Sequence, residues 1–207
     1  LPKKVLINEI QIDSMVGTSG TDDDWVELYN PNDVDISLAD WSIQKHSSDL
    51  IKEPCSTNIA FKKINFIGSA TITAKGYFLI VRNTAKQELL DLADMASSYL
   101  QLSQNNTIYL VKNQDEIESG NDFDIVDKVG FGLACFPETS PALNPPEAGS
   151  IERVKLGQDT DDNSQDFKIS GEPTPKESSL KSHIYDGTGD VLKGSPPNYL
   201  NSWSSSN

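Results

Sequence analysis

Residues 24–30, Asp24-Trp25-Val26-Glu27-Leu28-Tyr29-Asn30, place Trp25, Glu27 and Tyr29 on one side and Val26 and Leu28 on the other. That is the period-two pattern of a strand. Asn30-Pro31-Asn32-Asp33 supplies turn residues, and residues 34–43, carrying Ile36, Leu38, Trp41 and Ile43, read as a second strand. The expectation is a hairpin presenting two tryptophans, a core-building unit of an all-β domain. Trp25, Trp41, Tyr77 and Phe78 are accordingly assigned to packing.

The same pattern recurs along the chain. Residues 5–12 form a first strand with Leu6, Asn8, Ile10 and Ile12 on one face. Residues 59–73 hold one or two more, and Ala74-Lys75-Gly76 turns into Tyr77-Phe78-Leu79-Ile80-Val81-Arg82. That apolar run predicts a central strand buried on both sides. Leu89, Leu90, Leu92, Ala93 and Ala96 then change period and predict one short helix, with Thr84 as its N-cap. Further strands are expected at 107–111, 125–131, 151–154 and 167–169. Short strands with regular turn signals predict a β-sandwich rather than alternating βα units.

Composition changes after Gly171. Glu172-Pro173-Thr174-Pro175 breaks the strand pattern, and the remainder is rich in Ser, Gly, Pro and Asn. We expect a sandwich over 1–172 and a C-terminal extension over 173–207. By composition the extension is a linker. Ile184-Tyr185-Asp186-Gly187 facing Val191-Leu192 suggests a small hairpin, and Tyr199, Leu200 and Trp203 are its candidates for docking on the sandwich.

The 207 residues suffice for one large β domain with appendages. A formal net charge of −14, from 31 acidic and 17 basic residues, opposes binding to phosphate backbones. Lys3, Lys4, Lys62, Lys63 and Lys75 form only small basic groupings, so nucleic acid is not expected as a partner. No hydrophobic run is long enough to cross a membrane. The opening Leu1-Pro2-Lys3-Lys4, without an initiating Met or a signal peptide, reads as a processed or trimmed form. Cys55 and Cys135 are too few for a zinc site. Both fall in expected loops, and we expect them to form one disulfide; the alternative is two separate thiols. A disulfide favours an extracellular or cell-envelope address.

The motifs taken together resemble the lamin tail domain, an immunoglobulin-like β-sandwich found in nuclear lamins and in many bacterial and archaeal secreted proteins. The resemblance rests on Ile7-Asn8-Glu9-Ile10, residues 24–30, Leu38-Ala39-Asp40-Trp41, Gly76-Tyr77-Phe78-Leu79-Ile80 and Ile125-Val126-Asp127. It closes with Ser150-Ile151-Glu152-Arg153, Asp162-Asn163 and Asp166-Phe167. Order and spacing agree from about residue 4 to 175. The absence of a heptad rod and the Arg153-to-Phe167 closing segment point to the prokaryotic, secreted-type branch. A polar excursion over 46–60, containing Cys55, and the chain after 175 depart from the pattern. The resemblance implies a recognition or tethering module, of the kind attached to secreted hydrolases, nucleases or cell-surface proteins. It brings no catalytic residues, and fold alone does not settle function.

A search for chemistry agrees. His46 and His183 are the only histidines, and no serine sits in a G-x-S-x-G elbow. His46 is expected as a solvated loop residue. Glu9 and Glu27 are expected to bond loop backbones or cross-strand partners. Calcium, which wants converging carboxylate and carbonyl oxygens, is the one ligand considered. Asp159, Asp161 and Asn163 have the alternation of a calcium loop but lack the central Gly and closing Glu of an EF-hand. Asp22 and Asp24 are a second candidate, with Asp24 alternatively binding backbone N–H groups. The expected function is a non-catalytic extracellular interaction or anchoring module of a larger secreted or cell-surface protein. It requires no cofactor, binds a protein or cell-surface partner, and its sheet edges leave a paired dimer open. The alternative is an accessory domain beside a secreted hydrolase or nuclease, binding calcium, or carbohydrate through Tyr185, Tyr199 and Trp203.

Overall fold

A computed structural model describes residues 3–12, 22–47, 55, 62–147 and 149–177, together with the backbone of Ile184–Tyr185 and Val191–Leu192. Strand β1 (Leu6–Gln11) departs at once from simple alternation. Its pairing with β2 (Trp25–Tyr29) shifts register between Ile7 and Glu9. This bulge puts Val5, Ile7, Ile10 and Ile12 in the core in place of the expected Leu6, Asn8, Ile10 and Ile12. A bulge inserts one residue and so inverts the facing of everything before it.

The remaining strands are β3 (Ile36–Ser37), β4 (Ser42–Ser47), β5 (Lys62–Asn65), β6 (Thr71–Ile72), β7 (Tyr77–Arg82), β8 (Met95–Ser97), β9 (Asn106–Val111), β10 (Ile125–Gly130), β11 (Ser150–Arg153) and β12 (Phe167–Ser170). One sheet runs β12-β11-β1-β2-β7-β8 and the second β10-β9-β4-β5. The pairing is antiparallel except at β7–β8, and β3 and β6 make a separate small ladder. Between the sheets lie Val26, Leu28, Phe78, Ile80 and Ile151 on one side and Ile43, Ile64, Ile108, Leu110 and Val129 on the other. The two inner faces are predominantly apolar, which is the packing rule of a sandwich.

The two-tryptophan hairpin is not formed. β2 pairs with β1 and β7, while β4 lies in the other sheet between β9 and β5. Asn30 is the reason. Its Nδ2 donates to the carbonyls of Val34, Ile72 and Thr73, and its Oδ1 accepts from Asn32 N–H, so the turn carries the chain across to β6. Asp40, with φ 65°, then breaks the expected single strand over 34–43 into β3 and β4. Left-handed backbone is tolerated by Asp but ends a strand. Trp41 packs half-buried against the main core, as expected of a packing residue. Trp25 is fully buried on the opposite face of its sheet, with Leu79, Val81, Ala85 and Leu89.

β7 is buried on both faces, Phe78 and Ile80 toward the sandwich and Leu79 and Val81 toward Trp25. Tyr77, at its start, is half-buried beside Tyr29, with ring centroids 5.1 Å apart. Helix α1 (Gln87–Leu92) supplies Leu89 to this outer cluster. It is capped at Lys86 rather than Thr84, and Ala96 belongs to β8, not the helix. Thr84 instead donates to Asp22. His46 is also corrected: it is on β4, buried, with its ring 5.1 Å from that of Phe136. The polar excursion therefore starts after β4 rather than at 46; apart from Cys55, its residues 48–61 lie outside the described residues.

The chain divides after Lys176. In the second unit, Ile184–Tyr185 and Val191–Leu192 (β13 and β14) pair antiparallel. The docking candidates Tyr199, Leu200 and Trp203 lie outside the described residues.

Candidate functional site

Arg153 is two residues beyond Ile151 on β11 and therefore on the same inward face. Its side chain is completely buried. It donates through Nε to the Ile7 carbonyl at 2.8 Å and through Nη2 to both Asp127 oxygens at 2.9 and 3.2 Å. Nη1 donates to the Gln158 carbonyl and lies 3.5 Å from both Asp159 and Asp166. The guanidinium also stacks over Phe167, 4.8 Å from the ring centroid. Asp127, from β10 in the other sheet, accepts the Ile7 amide at 2.6 Å. Both main-chain polar groups of Ile7, at the bulge, are thus held by this pair.

Of the candidate calcium residues, Asp159 and Asp161 share Lys4, while Asn163 is engaged elsewhere. Asn163 opens α2 (Asn163–Asp166), with Asp162 as its cap. Its carboxamide accepts from Gly130 and Glu138 amides and donates to the Lys128 carbonyl and Glu138. Asp161 is exposed, at φ 56°, with its carboxylate 3.8 Å from Lys4 and its N–H donating to Asp159. Asp159 turns inward to Arg153. Asp22 lies 2.7 Å and Asp24 3.5 Å from Arg82, and Asp24 accepts the Leu102 amide at 2.8 Å.

A different acidic group does converge. Asp127, Glu138 and Asp159 each place an oxygen within 4.8 Å of the others. Burial pushes Asp127 up to about 6 against the pull of Arg153. Burial, then Asp127 and Asp159, push Glu138 up to about 8. Asp159 goes the other way: burial would raise it, but Arg153 and Lys4 outweigh burial and hold it below the usual carboxylate range. Burial would lower Arg153 too, yet Asp127 and Asp159 keep it above its ordinary value. Arg153 therefore already supplies the positive charge this group would ask of a cation. The sequence signal for Asp127, a carboxylate inside the strand Ile125-Val126-Asp127, was legible; its partner Glu138 was not, because only the tertiary fold brings that loop over β10.

A second buried acidic pair lies on the outer face of the larger sheet. Glu9 and Glu27 are direct cross-strand partners in β1 and β2. Glu9 accepts from Ser150 Oγ and from Thr174 N–H and Oγ1. Glu27 accepts from Asn8 Nδ2 at 2.8 Å and from the Lys176 amide. Burial raises both, Glu27 to about 8, against the opposing effect of those donors. Cys55 and Cys135 form a disulfide across a separation of 80 residues.

The family model described as Lamin Tail Domain matches residues 2–132. The chain belongs to the lamin tail domain family. The family's domain is an immunoglobulin-like, non-enzymatic interaction module, and the two-sheet sandwich has that fold. No curated protein matches the chain. The lamin tail domain match stops before β11 and β12, yet both strands complete its larger sheet. Among the described residues no helix is long and apolar enough to cross a membrane.

Proposed function

We propose that this lamin tail domain is a non-catalytic interaction or anchoring module of a larger extracellular or cell-envelope protein, of the prokaryotic secreted branch. The observation that carries the reading is the commitment of its perturbed carboxylates. Strongly shifted groups mark catalytic candidates when they face a cleft. Here Asp127, Glu9 and Glu27 face backbone amides, an arginine and each other's strands, and Glu138 accepts from the Asn163 carboxamide. The disulfide supports an oxidising compartment. A protein or cell-surface partner fits an acidic surface, and the net charge disfavours nucleic acid. If the partner is a second copy, Lys62 and Lys63 on the β5 edge oppose pairing there.

The test is saturable binding of the labelled chain to isolated cell envelopes, competed by unlabelled chain, with a thiol count on protein taken from its native compartment. Competed binding and no free thiol fit the proposal; two free thiols would remove the extracellular part of it. The alternative, a calcium-binding accessory domain, rests on Asp127, Glu138 and Asp159. Because Arg153 neutralises that group, we expect the same melting temperature in EDTA and in millimolar calcium. A calcium-dependent rise would favour the alternative. The carbohydrate candidates Tyr185, Tyr199 and Trp203 have no described side chains.

A further inference from the structure

The loop that joins β9 to β10, residues 112–124, buries one large apolar side chain and leaves another outside. Ile117 packs inward with Tyr109 and Val111. Phe123 is 85% exposed, more than any other large apolar side chain among the described residues. The loop around it is pinned. The Lys112 amide donates to the Asp124 carbonyl at 3.0 Å and closes the base. Gln44 of β4 donates to the Asp115 carbonyl at 2.6 Å and accepts the Ile117 amide at 3.1 Å. Ser42 donates to the Asn113 carbonyl, and Gln114 to that of Phe66. A Cβ on Gly120 would lie 2.7 Å from the Phe136 ring, so the loop is pressed down at that point. Beside the ring, Asp122 accepts the Asp124 amide and Asn113 donates to the Asp124 carboxylate. Lys112, 3.2 Å from Asp124, stands over one face of the ring at 5.3 Å and steadies its direction.

Phe123 is therefore a rigidly presented ring that the fold does not use for packing, since Ile117 already anchors the loop. Burying such a ring against a partner is favourable. An ordered loop loses little further freedom in doing so, and preorganisation of this kind raises affinity. Aromatic side chains seated in pockets carry much of the energy of protein interfaces.

The ground around the ring sets the partner's charge. Asp115, Glu116 and Glu118 are exposed, and Asp122 and Asp124 flank the ring in sequence. The nearby cations are engaged: Lys112 with Asp124, Lys63 with the Gln114 carbonyl, and Lys128 with the Gly120 carbonyl and Asn121. A second copy of this chain, itself carrying a net charge of −14, would be repelled. We propose, building on the reading of this domain as an interaction module, that Phe123 is the anchor by which it grips a protein partner. The ring seats in an apolar socket of that partner, rimmed by lysine or arginine that faces the loop's carboxylates.

The experiment is competition between labelled native chain and unlabelled variants for isolated cell envelopes. Phe123→Ala should compete at least about tenfold less well, the measure of an anchor, with an unchanged melting temperature because the ring lies outside the core. Leu133→Ala, at a side chain 62% exposed on another loop, should compete like the native chain. Neutralising Asp115, Glu116 and Glu118 together, to Asn, Gln and Gln, should weaken competition and reduce its sensitivity to added salt. Vesicles made from the extracted envelope lipids should not compete. A Phe123→Ala chain that competes as well as native would overturn this proposal and leave the interaction module standing. Vesicles as effective as whole envelopes would make the partner lipid and overturn it as well. Absence of saturable native binding would remove both. Should Phe123→Ala melt low, the three-acid variant decides: native competition with native salt dependence would overturn the proposal.

Discussion

Arg153 shows how one side chain can join two sheets. It satisfies the Ile7 carbonyl, neutralises Asp127 from the opposite sheet and covers Phe167. Its removal leaves Asp127 buried and uncompensated, with the Ile7 amide as its remaining described hydrogen-bond donor. Breaking a buried pair by deleting one partner costs about 3–5 kcal/mol, so Arg153→Leu should lower the unfolding free energy read by urea titration by that amount. A loss below about 1 kcal/mol would mean that water enters and solvates Asp127. The double variant with Asp127→Leu should recover part of the loss, because no charge is then stranded. Trp25 makes a contrasting case. It is fully buried, with no hydrogen-bond partner for its indole N–H among the described residues. Trp25→Ala should still cost about 3–5 kcal/mol by urea titration, since the lost packing outweighs relief of one unsatisfied donor.

Elements differ in how plainly the chain announces them. β7 was legible as an apolar run and β9 and β10 as strands at 107–111 and 125–131, and their boundaries follow the sequence to within a residue. The bulge in β1 was not, because Asn8 is polar whichever face it takes and its placement is set by Glu27 across the strand. Likewise Asn30 and Asp40 looked like ordinary turn and strand residues. Their effect lies in long-range bonds to Ile72 and Thr73 and in a positive φ that no short window reveals. The functional groups divide in the same way: Glu9 and Glu27 could be placed on strands, whereas the Thr174 and Lys176 donors that meet them come from a segment that composition marks as linker. At this scale the disulfide also has a measurable role. Closing a loop of 80 residues restricts the unfolded chain by roughly 4 kcal/mol on chain-entropy reasoning. Reduction should therefore lower the melting temperature by several degrees, read by calorimetry with and without reductant.

For the whole molecule, the buried acids give a common direction of pH dependence. Glu27 and Glu138 are raised to about 8 and Asp127 to about 6. A raised carboxyl binds its proton more tightly in the folded state than in the unfolded one. Its contribution to stability is full below the unfolded value near 4.5 and fades as the pH climbs to the folded value. Urea titrations should accordingly find the chain more stable near pH 5 than near pH 9, with no net change above the highest of these values. Asp159, held low, acts in the opposite sense, but only below the normal aspartate range. A flat profile would mean that these carboxyls are hydrated in solution. Finally, the family match ends at residue 132 while β1 still needs β11 beside it. A protein cut at that boundary would be a sandwich with an open slot, its β1 edge bare and Asp127 without its arginine. Such a fragment should misbehave alone and be rescued by a synthetic peptide spanning 149–177. The closing segment is thus a ready-made complementing half, and the place to cut if the domain were to be engineered as a split reporter.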